Sequence, residues 1–161
     1  AGAIGLWSRG GDLVADRFPE LGALETRIPD GTVVDGEIVV WKDGRVRPFA
    51  ALQTRIGRKS LSAKILAEAP AALLAYDLLE QDGADLRMLP QHARRARLEA
   101  LVPAAGDEHL QLSPPLSLPS WEAYTRLRAE FRSLGVEGFM LNPRDAHYGS
   151  ARTQEPGHAV K

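Results

Sequence analysis

The sequence predicts an α+β fold, on three observations. Apolar runs of strand length recur along the chain, Asp-Gly pairs stand where such runs would double back, and segments with apolar residues at helical spacing lie between them. With 161 residues and 44% hydrophobic content, the chain suffices for one core and is short for two. A single domain over residues 1–161 is therefore expected.

Ala3 to Trp7 reads as a short strand ended by the turn Ser8-Arg9-Gly10-Gly11. Phe18-Pro19-Glu20 then opens a helix over Glu20 to Arg27, with proline in the first turn and Leu21 and Leu24 on one side, and Pro29-Asp30-Gly31 breaks it. Val33 to Trp41 follows as a strand carrying Asp35 and Glu37 between β-branched runs. If that strand is buried, each carboxylate needs a partner that offsets its desolvation, and Gly36 leaves room for something to approach the backbone; a bound ligand is one such partner. The alternative is an edge strand with Asp35, Glu37 and Val39 on its solvent side at period two. Lys42-Asp43-Gly44-Arg45 predicts a type I′ hairpin returning through Arg45 to Pro48.

Phe49, Leu52 and Ile56 are spaced for a helix that Gly57 stops, and a second helix spans Ser62 to Ala69 with Ile65 and Leu66 inward. Ala71 to Leu79 is apolar with one acid and lacks polar alternation, which suits a central strand. Asp82-Gly83 turns the chain. A helix from Pro90 to about Leu101 follows, and its side bearing His92, Arg94, Arg95 and Arg97 reads as a solvated face. His109 to Leu112 is a further strand, the proline-rich stretch from Ser113 to Leu118 a stiff loop, and Ser120 caps a helix to about Ser133 that Gly135 ends. Val136 to Leu141 again sets an acid and a glycine, Glu137-Gly138, inside an apolar strand. Two carboxylates entering one cleft from neighbouring strands is how a site for ribose hydroxyls and a hard divalent cation is built.

Composition narrows the classes. The absence of cysteine removes disulfides, thiolate metal sites and cysteine nucleophiles, and fits a reducing compartment. No apolar run approaches membrane-spanning length, so a soluble, cytoplasmic chain without membrane contact is expected. A net charge of -1 gives no global attraction to nucleic acid, so such binding would need a local basic patch.

Six segments carry a resemblance. Leu-Trp-Ser-Arg-Gly-Gly (6 to 11), Arg-Phe-Pro-Glu (17 to 20), Asp-Gly-Glu-Ile-Val-Val (35 to 40), Pro-Phe-Ala-Ala-Leu-Gln (48 to 53), Tyr-Asp-Leu-Leu (76 to 79) and Glu-Gly-Phe-Met-Leu (137 to 141) resemble, in order, the nucleotidyltransferase (adenylation) domain of bacterial ATP-dependent DNA ligases. The resemblance implies an ATP-grasp-like α+β domain of packed antiparallel sheets flanked by helices, with an adenylate pocket between the sheets. It implies an enzyme that seals nicks in duplex DNA during repair, replication or recombination. A lysine attacks ATP, AMP passes to the 5′-phosphate, and the 3′-hydroxyl displaces AMP. ATP, Mg²⁺ or Mn²⁺, and nicked DNA are the implied cofactors and partner, and the protein is expected to be monomeric. Carried over by position, Glu37 resembles the acid that holds the ribose hydroxyl, Tyr76 the ring stacked on adenine, Glu137 the metal-binding acid, and Arg9 and Arg152 phosphate contacts. On the residues alone, Tyr76 would be a core ring, Arg9 a turn charge and Arg152 a surface residue.

The departures are as specific. The family's nucleophile lies in a Lys-x-Asp-Gly signature that this sequence lacks, and Lys42, Lys59 and Lys64 have other contexts. Truncation before that motif and before the family's OB-fold is the expectation, with this chain inactive by itself. Asn142 stands where the family usually has lysine, and residues 157–161 lack the expected paired tryptophans, leaving Lys161 as a candidate terminal-motif lysine. A capping guanylyltransferase or RNA ligase shares the chemistry, but the run from Leu6 to Glu20 looks more like DNA ligase. The competing class is a non-catalytic relative that retains nucleotide or nucleic-acid binding.

Overall fold

The computed structural model describes residues 3–58, 60–130 and 138–149. Its centre is an antiparallel pair of long strands, β1 (Val33–Lys42) and β3 (Ala71–Gln81). Two Asp-Gly turns extend this pair into hairpins. Asp43 and Gly44 (φ 55° and 71°) lead into β2 (Arg45–Val46), while Asp82 and Gly83 (φ 52° and 76°) lead into β4 (Ala84–Asp85). Both turns take the left-handed conformation at two successive positions, as a type I′ connection requires. β5 (Leu110–Leu112) joins the other edge of β3 in parallel, so the five-stranded sheet is mixed at that edge.

Helices α1 (Phe49–Ile56), α2 (Ala63–Glu68), α3 (Gln91–Ala105) and α4 (Trp121–Ala129) fill the connections. Ser62 and Ser120 cap α2 and α4 by accepting from the backbone N–H of Ile65 and Ala123. α3 runs past Leu101 and through Pro103 because Val102 and Ala105 reach the core from its last turn; Gly106, at φ 58°, ends it. The first helical stretch is 3-10 rather than α, over Ala15–Arg17 and Pro19–Thr26, and docks Leu21 and Leu24 into the core.

Three expectations are corrected. Ala3 to Trp7 is not a sheet strand: it makes a single bridge, Trp7 to Leu13, around a turn whose bonds are local to Ser8 and Asp12. Of the expected last strand, Gly138 to Met140 have no regular structure and Leu141 makes only a bridge, and residues 131–137 lie outside the described residues. The basic face of α3 is not wholly solvated. Arg94 is only 2% exposed.

The pairs Gly36/Ala75, Ile38/Leu73 and Val40/Ala71 share one face of the sheet, and Glu37/Leu74 and Val39/Ala72 the other. The first face packs on Leu21, Leu24, Leu98, Leu101, Val102 and Leu110 to make the main core. Two buried arginines tie the periphery to it. Arg55 of α1, fully buried, donates to both carboxylate oxygens of Glu20 and to the carbonyls of Arg17 and Ala69, while Glu20 also accepts from the Ala71 N–H that begins β3. One guanidinium thus joins the 3-10 segment, α1 and β3.

Burial pushes the Glu20 carboxyl up, but the hydrogen bonds from Arg55 and Ala71 outweigh it and hold the group below its ordinary value of 4.5. Its stabilising contribution is therefore present above that value and is lost as pH falls through the lower folded one. Arg55→Ala is expected to cost roughly 3–5 kcal/mol in urea unfolding, because it strands a buried carboxylate. It should also flatten the acid limb of stability against pH. Lys64→Ala, which breaks an exposed pair with Glu68, should change little.

Candidate functional site

The face of the sheet turned away from the main core carries the sequence-predicted residues. Strand alternation sets Asp35, Glu37 and Val39 of β1 on it, opposite Ala72, Leu74 and Tyr76 of β3. The pairing slips at two places, so that β3 carries one extra residue at Leu79 and one at Tyr76. A bulge leaves its extra residue without a cross-strand partner and re-aims its side chain. Tyr76, half-buried, turns toward β1 and donates its hydroxyl to Asp35 Oδ1 at 3.1 Å.

The second oxygen of Asp35 is also taken. Tyr148 donates to Oδ2 at 2.8 Å from a segment 113 residues away in sequence. That segment is fastened at several points: Tyr148 N–H donates to Arg87 O, His92 N–H to Arg144 O, and Arg94 Nη1 to Ala146 O. Arg94 lies 5.8 Å from the Tyr148 ring centroid and forms a two-point pair with Asp77, the residue after Tyr76. Asp35 is thus a half-buried carboxylate satisfied by two phenols. A ligand is not required as its partner.

Gly36 is corrected in the same way. A methyl group there would stand 2.8 Å from Leu73 Cδ1 and 2.9 Å from the Leu74 carbonyl oxygen, so the neighbouring strand fills the room the glycine leaves. Glu37, by contrast, is exposed, but Val39 beside it on that face is buried, so the edge-strand alternative holds for Glu37 alone. Among the described residues no hydrogen bond or ion pair engages it. It lines a small cavity of about 170 Å³ with Val39, Arg47, Phe49, Leu74 and Gly138. Phe49 is about half exposed there and Gly138 follows Glu137 in sequence, so this cavity offers an aromatic ring, a free carboxylate and a neighbour of the second predicted acid. A larger concavity of about 550 Å³, lined by Leu6, Trp7, Ile28, Val34, Ile38 and Leu73 among others, reaches Asp35 but not Glu37, and Tyr76 lines neither cavity. The chemistry favours the smaller one.

The structure brings together Glu37 and Tyr76, and it leaves Arg9 exposed on its turn, lining neither cavity. Glu137, Arg152 and Lys161 lie outside the described residues, and Asn142 is exposed. Among the described residues no group of three or more His, Asp or Glu side chains is placed to hold a metal, and no helix is long and apolar enough to cross a membrane. Sequence reasoning missed Tyr148, Asp77 and Arg94. The lone acid in the apolar run of β3 was a signal for the buried pair; Tyr148 had none, since its partner is set only by the fold.

Burial, the negative charge of Asp35 and the hydrogen bond to it raise the Tyr76 hydroxyl well above the ordinary tyrosine range. Burial, the hydrogen bond to Asp35 and its charge push Tyr148 up to about 12. The stabilisation this represents is fully present below about pH 10 and is lost as pH rises through the folded values. In alkaline titration, phenolate absorbance from both residues should therefore lag the ordinary range, and Asp35→Asn should bring both back toward it. Ordinary titration of both in the unmodified chain would mean that the Asp35 bridge does not form.

A family model described as ATP dependent DNA ligase domain matches residues 1–156. Over 133 residues the chain is 36% identical to DNA ligase C2 of Mycolicibacterium smegmatis, covering 81% of this chain and 36% of that protein. Over 102 residues it is 41% identical to a probable DNA ligase of Opitutus terrae, covering 63% of this chain and 10% of that one. Among solved structures it is similar to a mycobacterial DNA ligase D complexed with ATP and MES, with TM-score 0.69 and 32% identity over 91% of this chain and 44% of that chain. It also shares a fold with a Lig E DNA ligase at 20% identity, with TM-score 0.69 over 98% of this chain and 55% of that chain. The chain spans well under two thirds of the length of these relatives.

Proposed function

We propose a function from one premise: this chain belongs to the ATP-dependent DNA ligase domain family. It forms the nucleotide-binding part of an enzyme that seals nicks in duplex DNA through enzyme-AMP and DNA-adenylate intermediates, acting as a monomer in the cytoplasm. The observation that carries this reading is the shared sheet face bearing Tyr76 and the exposed Glu37, whose register partner Leu74 stands two residues before Tyr76. A flat base needs a ring to stack on, and a ribose hydroxyl needs an acceptor within reach of that ring. The solved relative named as complexed with ATP supports the same assignment.

In this reading Tyr76 is the base platform, Glu37 accepts from the ribose, and Arg9 and Arg152 contact phosphate. The divalent cation, Mg²⁺ or Mn²⁺, falls to Glu137, which resembles the family's metal-binding acid. A bound cation would offset phosphate charge; orienting the base and ribose is left to this chain's own side chains. Asn142, at a position the family usually gives to lysine, favours a second reading, in which the chain binds nucleotide or nucleic acid without catalysis.

Calorimetric titration with ATP tests the site. Tyr76→Ala should weaken binding by roughly 1–3 kcal/mol of lost stacking, and Tyr76→Phe, which keeps the ring, by less. Binding unaffected by Tyr76→Ala would remove the ring from the site. Separately, the sequence holds no Lys-x-Asp-Gly signature, so incubation of this chain with labelled ATP and Mg²⁺ should give no covalently labelled band on denaturing electrophoresis. A band at the chain's mass would show that another lysine serves as nucleophile.

A further inference from the structure

We propose that Tyr148 is a positioning residue for the nucleotide, acting through Asp35 to hold the ring of Tyr76 in the orientation a stacked base requires. The inference rests on the reading of Tyr76 given above. Tyr76 is the extra residue of a bulge, so it has no register partner on β1, and it is not among the residues of the main core. Among the described residues, its far end is held by one hydrogen bond, from the hydroxyl to Asp35 Oδ1. Asp35 is steadied in turn by Tyr148 at Oδ2, the shorter of its two phenol contacts.

Tyr148 suits that task because its own position is determined by the rigid part of the fold. Its N–H donates to Arg87 O, its ring lies beside Arg94, and Arg94 is locked by Asp77. The line of contacts therefore runs from α3 through Arg94, Tyr148 and Asp35 to the ring of Tyr76. Both phenols act as donors only while protonated, and the negative Asp35 between them favours that state. Removing the Tyr148 hydroxyl leaves Asp35 with one free oxygen and lets its carboxylate rotate, which frees the Tyr76 ring without removing it.

The test is a double-mutant cycle on ATP binding by the chain, with Tyr148→Phe, Tyr76→Phe and the double variant, and Tyr76→Ala as reference. Tyr148→Phe keeps the ring beside Arg94 and should weaken ATP roughly threefold to tenfold, the worth of one hydrogen bond. That loss should vanish in the Tyr76→Phe background, where no hydroxyl remains for Asp35 to hold. A merely structural role for Tyr148 would give equal losses in both backgrounds. Equal losses, or no loss from Tyr148→Phe while Tyr76→Ala weakens binding, overturn the proposal. If Tyr76→Ala binds ATP as the unmodified chain does, or that chain binds none, the reading of the site fails first and the proposal with it. Should Tyr148→Phe not fold, Asp35→Asn takes its place: weakened ATP binding together with a lowered Tyr76 phenolate titration supports the bridge, and no change in either overturns it.

Discussion

The buried pair of Asp77 and Arg94 is the contact on which the arrangement of the site depends. Nε donates to Oδ1 at 2.8 Å and Nη2 to Oδ2 at 2.7 Å, with both side chains almost wholly out of solvent. Desolvating two charges is costly, and the attraction between them offsets that cost only when the remaining donors and acceptors are also met. They are met here. Asp77 Oδ1 also accepts from the Leu78 N–H, and Arg94 Nη1 donates to the carbonyls of Leu89 and Ala146. A planar fork with five donors can serve β3, the loop before α3 and residues 146–148 at once, which a lysine could not.

Arg55 does the corresponding work at the other end of the sheet. It gathers the 3-10 segment, α1 and the first residue of β3 through Glu20, and stacks on Phe18 at 5.1 Å. With the periphery held by two polar clamps, the apolar core can stay on one face of the β1 and β3 pair. On the other face Val39 and Ala72 are also buried, while Glu37 is exposed and Tyr76 half-buried. Glu37 makes no hydrogen bond or ion pair there among the described residues, and Tyr76 is held through its hydroxyl.

The bulge at Tyr76 links architecture to chemistry. Without the extra residue, the register set at Leu74 would carry through, pairing Tyr76 with Asp35 and Asp77 with Val34. With it, one strand supplies consecutive residues to two different tasks, Tyr76 to the open face and Asp77 to the buried pair with Arg94. Gly36 belongs to the same adjustment, since only a residue without a side chain tolerates the approach of Leu73 and Leu74.

What the sequence determined by itself was local. Asp43-Gly44 and Asp82-Gly83 imposed their turns through backbone conformations few other pairs accept, Ser62 and Ser120 capped their helices, and the alternation of Asp35, Glu37 and Val39 marked one strand face. Six short motifs sufficed to name the family. What only the tertiary structure decided was which polar groups would be buried and by whom they would be met. Arg94 sits in a basic run that reads as solvated, Arg55 in a helix whose apolar spacing says nothing of it, and Tyr148 finds Asp35 across 113 residues. No local pattern encodes such pairings, because a charged or hydroxyl group enters the interior only where a distant partner satisfies it, and the position of that partner is a property of the assembled fold.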